Sequence, residues 1–170
     1  IAGVVYQNEE NGYTVLRLVT ADGEAVTVVG AIPCAAPGED LIVNGRWVSH
    51  PVHGDQVQAE QVERHLPTSE DEILRYLSSG IVKGVGAATA ARLVQKFGVR
   101  TLEALEEPDQ LTKIKGITPR KAREICESYR YQTGMRRLMD FLSANDLPLT
   151  LALRLYRRYG GGALDAVRDN

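Results

Sequence analysis

The hydrophobic positions of this 170-residue chain follow two periods, and the change between them falls near Pro67. Before it, five short apolar stretches are separated by turn signals, of which Asn11-Gly12 and Asp22-Gly23 are typical of β-hairpins. These stretches predict strands at residues 3–6, 13–19, 25–29, 41–48 and 56–60. After Pro67 the apolar residues recur at three- and four-residue spacing, which predicts helices interrupted by glycine and proline.

The order of these elements favours an α+β protein with two segregated domains. Five strands in residues 1–66, with tight turns first and a longer connection before the fourth strand, are typical of a small OB-like β-barrel. Gly45 inside the fourth strand fits the bend or bulge that such a barrel requires. We expect an all-α domain over residues 67–170.

One helical unit occurs three times in the second domain. Residues 84–93 align with residues 116–125 and with residues 146–155, and the first and third copies stay similar as far as residues 105 and 167. The alignment predicts three helix–turn–helix repeats, at about residues 81–98, 113–130 and 143–160. A small residue is expected where the two helices of each hairpin approach closely, and these are Ala90, Ala122 and Ala152.

The turns of the first two copies are candidate anion sites. Gly84 and Gly86 let the backbone N–H groups at a helix start face outward together. Thr118 replaces the second glycine in the second copy, but it keeps its N–H group and can cap the helix that follows. The third copy has Asp146 and Pro148 at these positions. Because proline has no N–H group and aspartate repels a phosphate, we expect the third copy to be structural only.

The shared pattern, apolar-x-Gly-apolar-Gly-x-x-x-Ala, resembles the helix-hairpin-helix family of sequence-independent DNA-binding motifs. In that family the backbone N–H groups of the hairpin hold a DNA phosphate. Between residues 113 and 137 there are eight basic and two acidic residues, and basic side chains at the hairpins can neutralise backbone charge. The candidate DNA-binding residues are Lys83, Gly84, Val85, Gly86, Thr89, Arg92, Lys115, Gly116, Ile117, Thr118, Arg120 and Lys121.

Charge separates the two halves of the chain, whose total is −2. Residues 1–66 carry three Lys+Arg against nine Asp+Glu, whereas residues 67–170 carry 17 against 13. An acidic barrel with few aromatic residues attracts single-stranded DNA poorly, so a packing or spacer role is favoured for it. Trp47 is accordingly predicted to lie in a core or a contact between subdomains rather than to stack on a base.

Catalytic and metal-binding patterns are absent from the sequence. His50 and His53 have a proline between them and no carboxylate or thiol at ligand spacing. Cys34 and Cys126 are expected to be structural thiols in a reducing compartment. No apolar run approaches the roughly 20 residues of a membrane span, and no signal peptide is visible, so we expect a cytoplasmic protein without a membrane partner.

Four segments are similar to the N-terminal region of RecD-like ATP-dependent DNA helicases, the exodeoxyribonuclease V alpha-subunit-like family. They are residues 8–15, 45–56, 76–86 and 156–160. The resemblance implies an OB-like domain and helix-hairpin-helix repeats ahead of a motor that hydrolyses ATP and moves 5′ to 3′ along single-stranded DNA. Because the chain begins at Ile1 without an initiator methionine, we expect a piece of a longer protein.

The resemblance implies a role in DNA recombination and repair, with DNA and the motor domains of the same chain as partners of a monomer. ATP and Mg²⁺ are expected for that motor. The present chain has no Gly-x-x-x-x-Gly-Lys-Ser/Thr loop, so no cofactor and no enzymatic activity are expected of it.

Two alternatives stay open. The Holliday-junction-binding protein RuvA also combines an OB barrel with two helix-hairpin-helix motifs, although the third repeat and residues 47–51 fit it poorly. A module that binds a helicase motor through protein contacts is the other alternative. The sequence leaves open whether the hairpins bind single- or double-stranded DNA.

Overall fold

The structure, a computed structural model, describes residues 1–8 and 10–159. The chain forms two compact units, the first made of Ile1–Leu66 together with the chain from Met135 onward, and the second of Pro67–Gly134. The similarity of the third repeat to the first beyond residue 159 falls outside the described residues.

Five β-strands form one sheet in the first unit, as the apolar stretches predict. They are β1 (Gly3–Gln7), β2 (Tyr13–Val19), β3 (Ala25–Ala31), β4 (Asp40–His50) and β5 (Gly54–His65). Their order is β1-β2-β3-β5-β4, in which β3 and β5 run parallel and the other neighbours antiparallel. Strands β4 and β5 are longer than predicted. Exposed polar residues extend both strands toward the turn that joins them, and Val62 and Arg64 continue the alternation of partly buried and exposed positions at the end of β5.

Gly45 lies where the pairing of β4 with β5 is irregular, since the register shifts between Asn44 and Gly45. A Cβ atom at this position would overlap the carbonyl oxygen of Gln58. The close approach of two backbones therefore requires glycine here, and the predicted irregularity is confirmed.

The helices follow the barrel, as predicted. They are α1 (Glu70–Ser78), α2 (Ala87–Phe97), α3 (Thr101–Ala104), α4 (Pro108–Leu111), α5 (Pro119–Ala144) and α6 (Leu151–Tyr159). The single helix α5 is both the second helix of the second repeat and the first helix of the third. Ala90, Ala122 and Ala152 are all completely buried, which agrees with their expected place at close helix contacts.

A buried ion-pair network joins α5 to the barrel within the first unit. The Glu39 carboxylate is fully buried and accepts hydrogen bonds from Arg64 Nη2 and Arg136 Nη1, each at 2.9 Å. Arg64 Nη1 also donates to Asp140 Oδ1 at 2.7 Å. Burial raises the pKa of Asp140, and the Arg64 charge opposes that effect.

This network explains a difference from the predicted domain organisation. The sequence predicts one helical domain over residues 67–170. In the structure, the chain from Met135 onward belongs to the same compact unit as the barrel. Arg136 and Asp140 of α5 pair with barrel side chains, Met139 Sδ accepts from Cys34 Sγ at 3.4 Å, and all three residues lie just past this division. Helical periodicity identifies the third repeat but does not report which core it joins.

Candidate nucleic-acid interface

The first glycine turn connects α1 to α2. Gly84 has a φ of +94°, a left-handed conformation that glycine adopts without strain. Val82 and Val85 are buried on either side of it, and the Val85 N–H donates to the Val82 carbonyl at 3.2 Å. The turn thus holds its apolar side chains inward and leaves Gly84 and Gly86 exposed.

The helix start that follows offers unpaired donors. Gly86 is the N-cap of α2 and has no side chain to satisfy the first N–H groups. Among the described residues, the N–H groups of Gly86, Ala87 and Ala88 have no hydrogen-bond acceptor. Free N–H groups together with the helix dipole form a site that favours a phosphate or another anion.

The second turn connects α4 to α5 and repeats this geometry. Gly116 has a φ of +93°, and the Ile117 N–H donates to the Ile114 carbonyl at 3.2 Å. Thr118 Oγ1 accepts a hydrogen bond from the Lys121 N–H at 3.2 Å, so the predicted cap is confirmed. Because Pro119 has no N–H group and the Lys121 N–H is used by the cap, this turn has fewer free donors than the first.

Other predicted site residues differ in exposure and in what they contact. Lys83 and Lys115 are exposed beside their turns, and Thr89 is half-buried on α2. Arg120 is exposed and lies 3.5 Å from a carboxylate oxygen of Glu124, one turn along α5. This surface ion pair is screened by solvent and leaves Arg120 accessible to a competing anion.

Arg92 and Lys121 lie beside the turn of the opposite repeat. A Cβ atom built on Gly84 would lie 3.9 Å from Lys121 Nζ, and one built on Gly116 would lie 3.5 Å from Arg92 Nη1. The sequence places Arg92 near the first turn and Lys121 near the second. Chain proximity does not predict these neighbours, since they depend on tertiary packing that brings α5 beside the first turn and Arg92 of α2 beside the second.

All twelve candidate residues lie in the unit Pro67–Gly134, close to its two turns. The structure thus places the predicted backbone donors and basic side chains of both hairpins in one unit. Contact of these residues with DNA stays a prediction.

The third turn connects α5 to α6 in the first unit. Asp146 occupies the position equivalent to Gly84 and has a φ of +55°. The helix α6 begins at Leu151, three residues past Pro148, whereas α2 begins directly after Gly86. The third copy therefore keeps the left-handed turn but lacks the glycine N–H groups at the helix start.

A cleft on the barrel has no counterpart in the sequence patterns described above. It has a volume of about 450 Å³ and lies on β1, β2 and β3 beside the β4–β5 turn. Its lining residues are Val5, Tyr6, Tyr13, Val15, Arg17, Thr27, His50, His53 and Gln56. Tyr6 and Tyr13 are exposed by 52% and 43%, so aromatic surface is available to a ligand.

Polar groups of this cleft are arranged for hydrogen bonding. The Gln56 residue is only 7% exposed, and its amide makes no hydrogen bond to any residue that the structure describes. His50 Nδ1 accepts the N–H groups of Val52 and His53, each at 3.1 Å. In the neutral ring the proton therefore sits on Nε2, which is a donor.

The prediction for Trp47 is wrong, because its side chain is 66% exposed. Trp47 pairs with Val57, a residue that packs against the barrel core. However, β4 is the last strand in the sheet order, so Trp47 has a neighbouring strand on one side only. Sequence alternation indicates the face of a strand but not whether another element covers it.

Within residues 1–8 and 10–159, no group of three or more His, Cys, Asp or Glu side chains is placed to hold a metal ion. Cys34 and Cys126 are free thiols in this part of the chain, and burial raises the pKa of both. None of the described helices has the length and apolar content needed to cross a membrane.

Comparison with known proteins gives a match for the strand region and a match for the region of the first two hairpins. Residues 1–67 match the family model of the OB-fold domain of ATP-dependent DNA helicase YrrC, and residues 74–130 match the SAM-like helix-hairpin-helix tandem. No solved structure matches the chain at a significant level. The matches confirm the expected order of an OB-fold domain and helix-hairpin-helix motifs. Both are nucleic-acid-binding modules rather than catalytic domains, which indicates nucleic-acid binding.

Proposed function

We propose, on the premise that this chain joins an OB-fold domain of the YrrC helicase type to a helix-hairpin-helix tandem, that it binds the DNA backbone without reading sequence. In this proposal it is the N-terminal accessory region of a RecD-like ATP-dependent 5′–3′ DNA helicase that acts in recombination and repair. Its partners are DNA and the motor domains, which supply the sites for ATP and Mg²⁺. The protein is monomeric and cytoplasmic.

The observation that carries the proposal is the pair of similar turns in one unit. Gly84 and Gly116 have φ values within a degree of each other, and each turn leads into a helix start. Lys83 and Lys115 are exposed at the equivalent position before each glycine. Backbone donors and cations without base-reading side chains suit phosphate contacts, which position a protein on DNA but carry no sequence information.

Charge reversal at the hairpins tests the proposal. We expect Lys83→Glu, Lys115→Glu and Lys121→Glu together to lower DNA affinity about 100-fold at low salt, because basic phosphate contacts dominate such binding. Fluorescence anisotropy with labelled duplex and single-stranded oligonucleotides measures the effect, and circular dichroism checks the fold.

The matched control is the triple variant Arg154→Glu, Arg157→Glu and Arg158→Glu, which changes the net charge equally on exposed positions of α6. It is expected to lower affinity less than about threefold. Equal losses in the two triple variants would show that only overall charge matters and would reject the hairpin sites.

Tetramers that prefer four-way junctions would favour the RuvA-like alternative. Absence of DNA binding with capture of the motor domains would favour a protein-interaction module.

A second candidate function is binding of single-stranded nucleic acid by the barrel, which the cleft at Tyr6 and Tyr13 favours. Exposed aromatic rings, Arg17 and the unpaired Gln56 amide suit an unpaired nucleotide that stacks on a ring and offers its base edge. Such stacking explains aromatic surface on an acidic barrel better than a spacer role does.

This second candidate predicts binding that depends little on salt. We expect Tyr6→Ala to lower affinity for a single-stranded oligonucleotide about fivefold or more at high salt, where phosphate contacts are weak. Tyr159→Ala removes an exposed tyrosine away from the cleft and is the control. Equal effects of the two substitutions would reject the cleft as a nucleotide site.

A further inference from the structure

In the unit Pro67–Gly134, the turn of each hairpin is contacted by residues of the other repeat. Helix α5, which follows the second turn, packs on the first. A Cβ atom at Gly84 would lie 3.4 Å from Ile125 Cγ1, so the turn contacts α5 closely. In addition, the Lys83 N–H donates to Ser128 Oγ at 2.8 Å. The position of the first turn therefore depends on side chains of the second repeat.

Two basic side chains also lie beside the turn of the other repeat. Lys121 Nζ approaches Gly84, and Arg92 Nη1 approaches Gly116. Both side chains are exposed, and within the described part of the chain no carboxylate lies within ion-pair distance of either. Arg120, by contrast, faces Glu124 on its own helix. Lys121 and Arg92, like Lys83 and Lys115, are thus cations beside the turns that no carboxylate of the described residues pairs with, and they differ from the two lysines in lying beside the turn of the other repeat.

We infer that each phosphate site is composite, with backbone N–H groups from one repeat and a cation from the other. Lys121 completes the site of the first turn, and Arg92 completes the site of the second. Ser128 is a positioning residue, because it holds the Lys83 backbone and touches no phosphate itself. This inference rests on the proposed DNA-backbone binding and specifies which groups share one phosphate.

The composite arrangement has a consequence that sequence proximity does not predict. Disabling the first turn removes the phosphate that Lys121 contacts, so the loss of Lys121 then matters little. Disabling the second turn leaves that phosphate in place, and the loss of Lys121 keeps its full effect. Residues that share one ligand group are coupled, whereas residues at separate phosphates act additively.

Two substitutions disable one turn each without removing a helix cap. Gly86 has an extended φ of −96°, and a Cβ atom there meets nothing within 4 Å, so Gly86→Asp is sterically accepted. Thr118→Asp keeps a side-chain acceptor for the Lys121 N–H. Aspartate is a favourable N-cap, but its charge repels a phosphate at the same helix start. Gly86→Ser and Thr118→Ser are the neutral controls.

A double-mutant cycle with duplex DNA tests the inference. We expect Lys121→Ala alone to lower affinity about fivefold, a size in the range of one typical net hydrogen bond, because both the lysine and the phosphate stay in contact with solvent. In the Gly86→Asp background the same change should lower affinity less than about twofold, and in the Thr118→Asp background it should keep its fivefold effect. Arg92→Ala should show the reverse pattern, and Lys121→Arg should retain most of the affinity.

The outcomes separate this inference from the function on which it rests. If Gly86→Asp and Thr118→Asp both bind DNA as tightly as their serine controls, the hairpins are not phosphate sites and both proposals fail. If both weaken binding but Lys121 is coupled to Thr118→Asp, or is additive with both, the function stands and the composite sites are rejected. Denaturant unfolding of each variant confirms that these comparisons are made on folded protein.

Discussion

The two turns of the unit Pro67–Gly134 and the turn before α6 share a left-handed backbone but present different chemistry. Gly84 and Gly116 hold φ values of +94° and +93°, and Asp146 holds +55° at the equivalent position. Aspartate is one of the few residues other than glycine that adopt this conformation readily. The third repeat thus keeps the left-handed residue of the turn, but its Leu147 N–H donates to the Leu142 carbonyl at 2.8 Å, a different hydrogen bond from those of the first two turns. Asp146 and Pro148 in addition oppose phosphate binding.

The surroundings of the third turn differ as well. Leu149, in the connection to α6, is buried with Met135, Leu138, Leu142 and Ala152 in an apolar cluster of the first unit. The residues equivalent to this connection in the first repeat, at the start of α2, are exposed. The comparison teaches that the same supersecondary unit can leave the residues after its turn exposed, as in the proposed phosphate sites, or bury them in a core, as in the third repeat.

The largest expected effect concerns the ion pairs that hold α5 in the barrel unit. Glu39→Gln leaves Arg64 and Arg136 with a neutral partner in a buried site, and we expect the free energy of unfolding to fall by about 3 kcal/mol or more. Urea denaturation measures this loss. DNA affinity of the folded variant should be unchanged, because the turns proposed to bind DNA lie in the other unit. A variant as stable as the original would show that these ion pairs do not hold the third repeat.

Gly84→Ala should have the next largest effect and concerns the first turn. Alanine at a φ of +94° is strained, so we expect the free energy of unfolding to fall by about 1–2 kcal/mol. Gly23→Ala is a useful comparison, because Gly23 has a φ of +84° in a barrel turn with nothing within 4 Å of its Cβ position. Both should lose stability, but only Gly84→Ala should also weaken DNA binding.

The smallest expected effect is that of Asp146→Asn in the third turn. Asparagine also tolerates the left-handed conformation, so the stability should change by less than about 0.5 kcal/mol. DNA affinity should change less than about twofold, even though a negative charge is removed. A marked gain in affinity would contradict the structural role of the third repeat and would place its turn near DNA.

Much of the fold can be predicted from the sequence, because the signals are local. Asn11-Gly12, Gly45 and the alternation of polar and apolar residues predict the five strands, and the glycine pattern predicts the hairpins. The position of Thr118 before Pro119 predicts a cap on α5, and Thr118 Oγ1 accepts the Lys121 N–H in the structure. Each of these features depends on neighbours within a few residues along the chain.

Features that depend on long-range packing could not be predicted in this way. The assignment of Lys121 to the first turn follows from the packing of α5, which brings residues 37 positions apart together. The junction of α5 with the barrel depends on Arg136 and Glu39, separated by 97 positions. Exposure of Trp47 depends on its place in an edge strand. Periodicity in the sequence carries none of this information.

The most direct test of the central claim, that two turns hold DNA phosphates and the third does not, is the salt dependence of duplex binding. In a plot of log K against log salt concentration, each phosphate contact contributes about −0.9 to the slope. We predict a slope of about −2 or steeper for the unmodified chain. Gly86→Asp should make it shallower by about one, and Asp146→Asn should leave it unchanged. A slope that Gly86→Asp does not alter, or that Asp146→Asn does, would contradict the account.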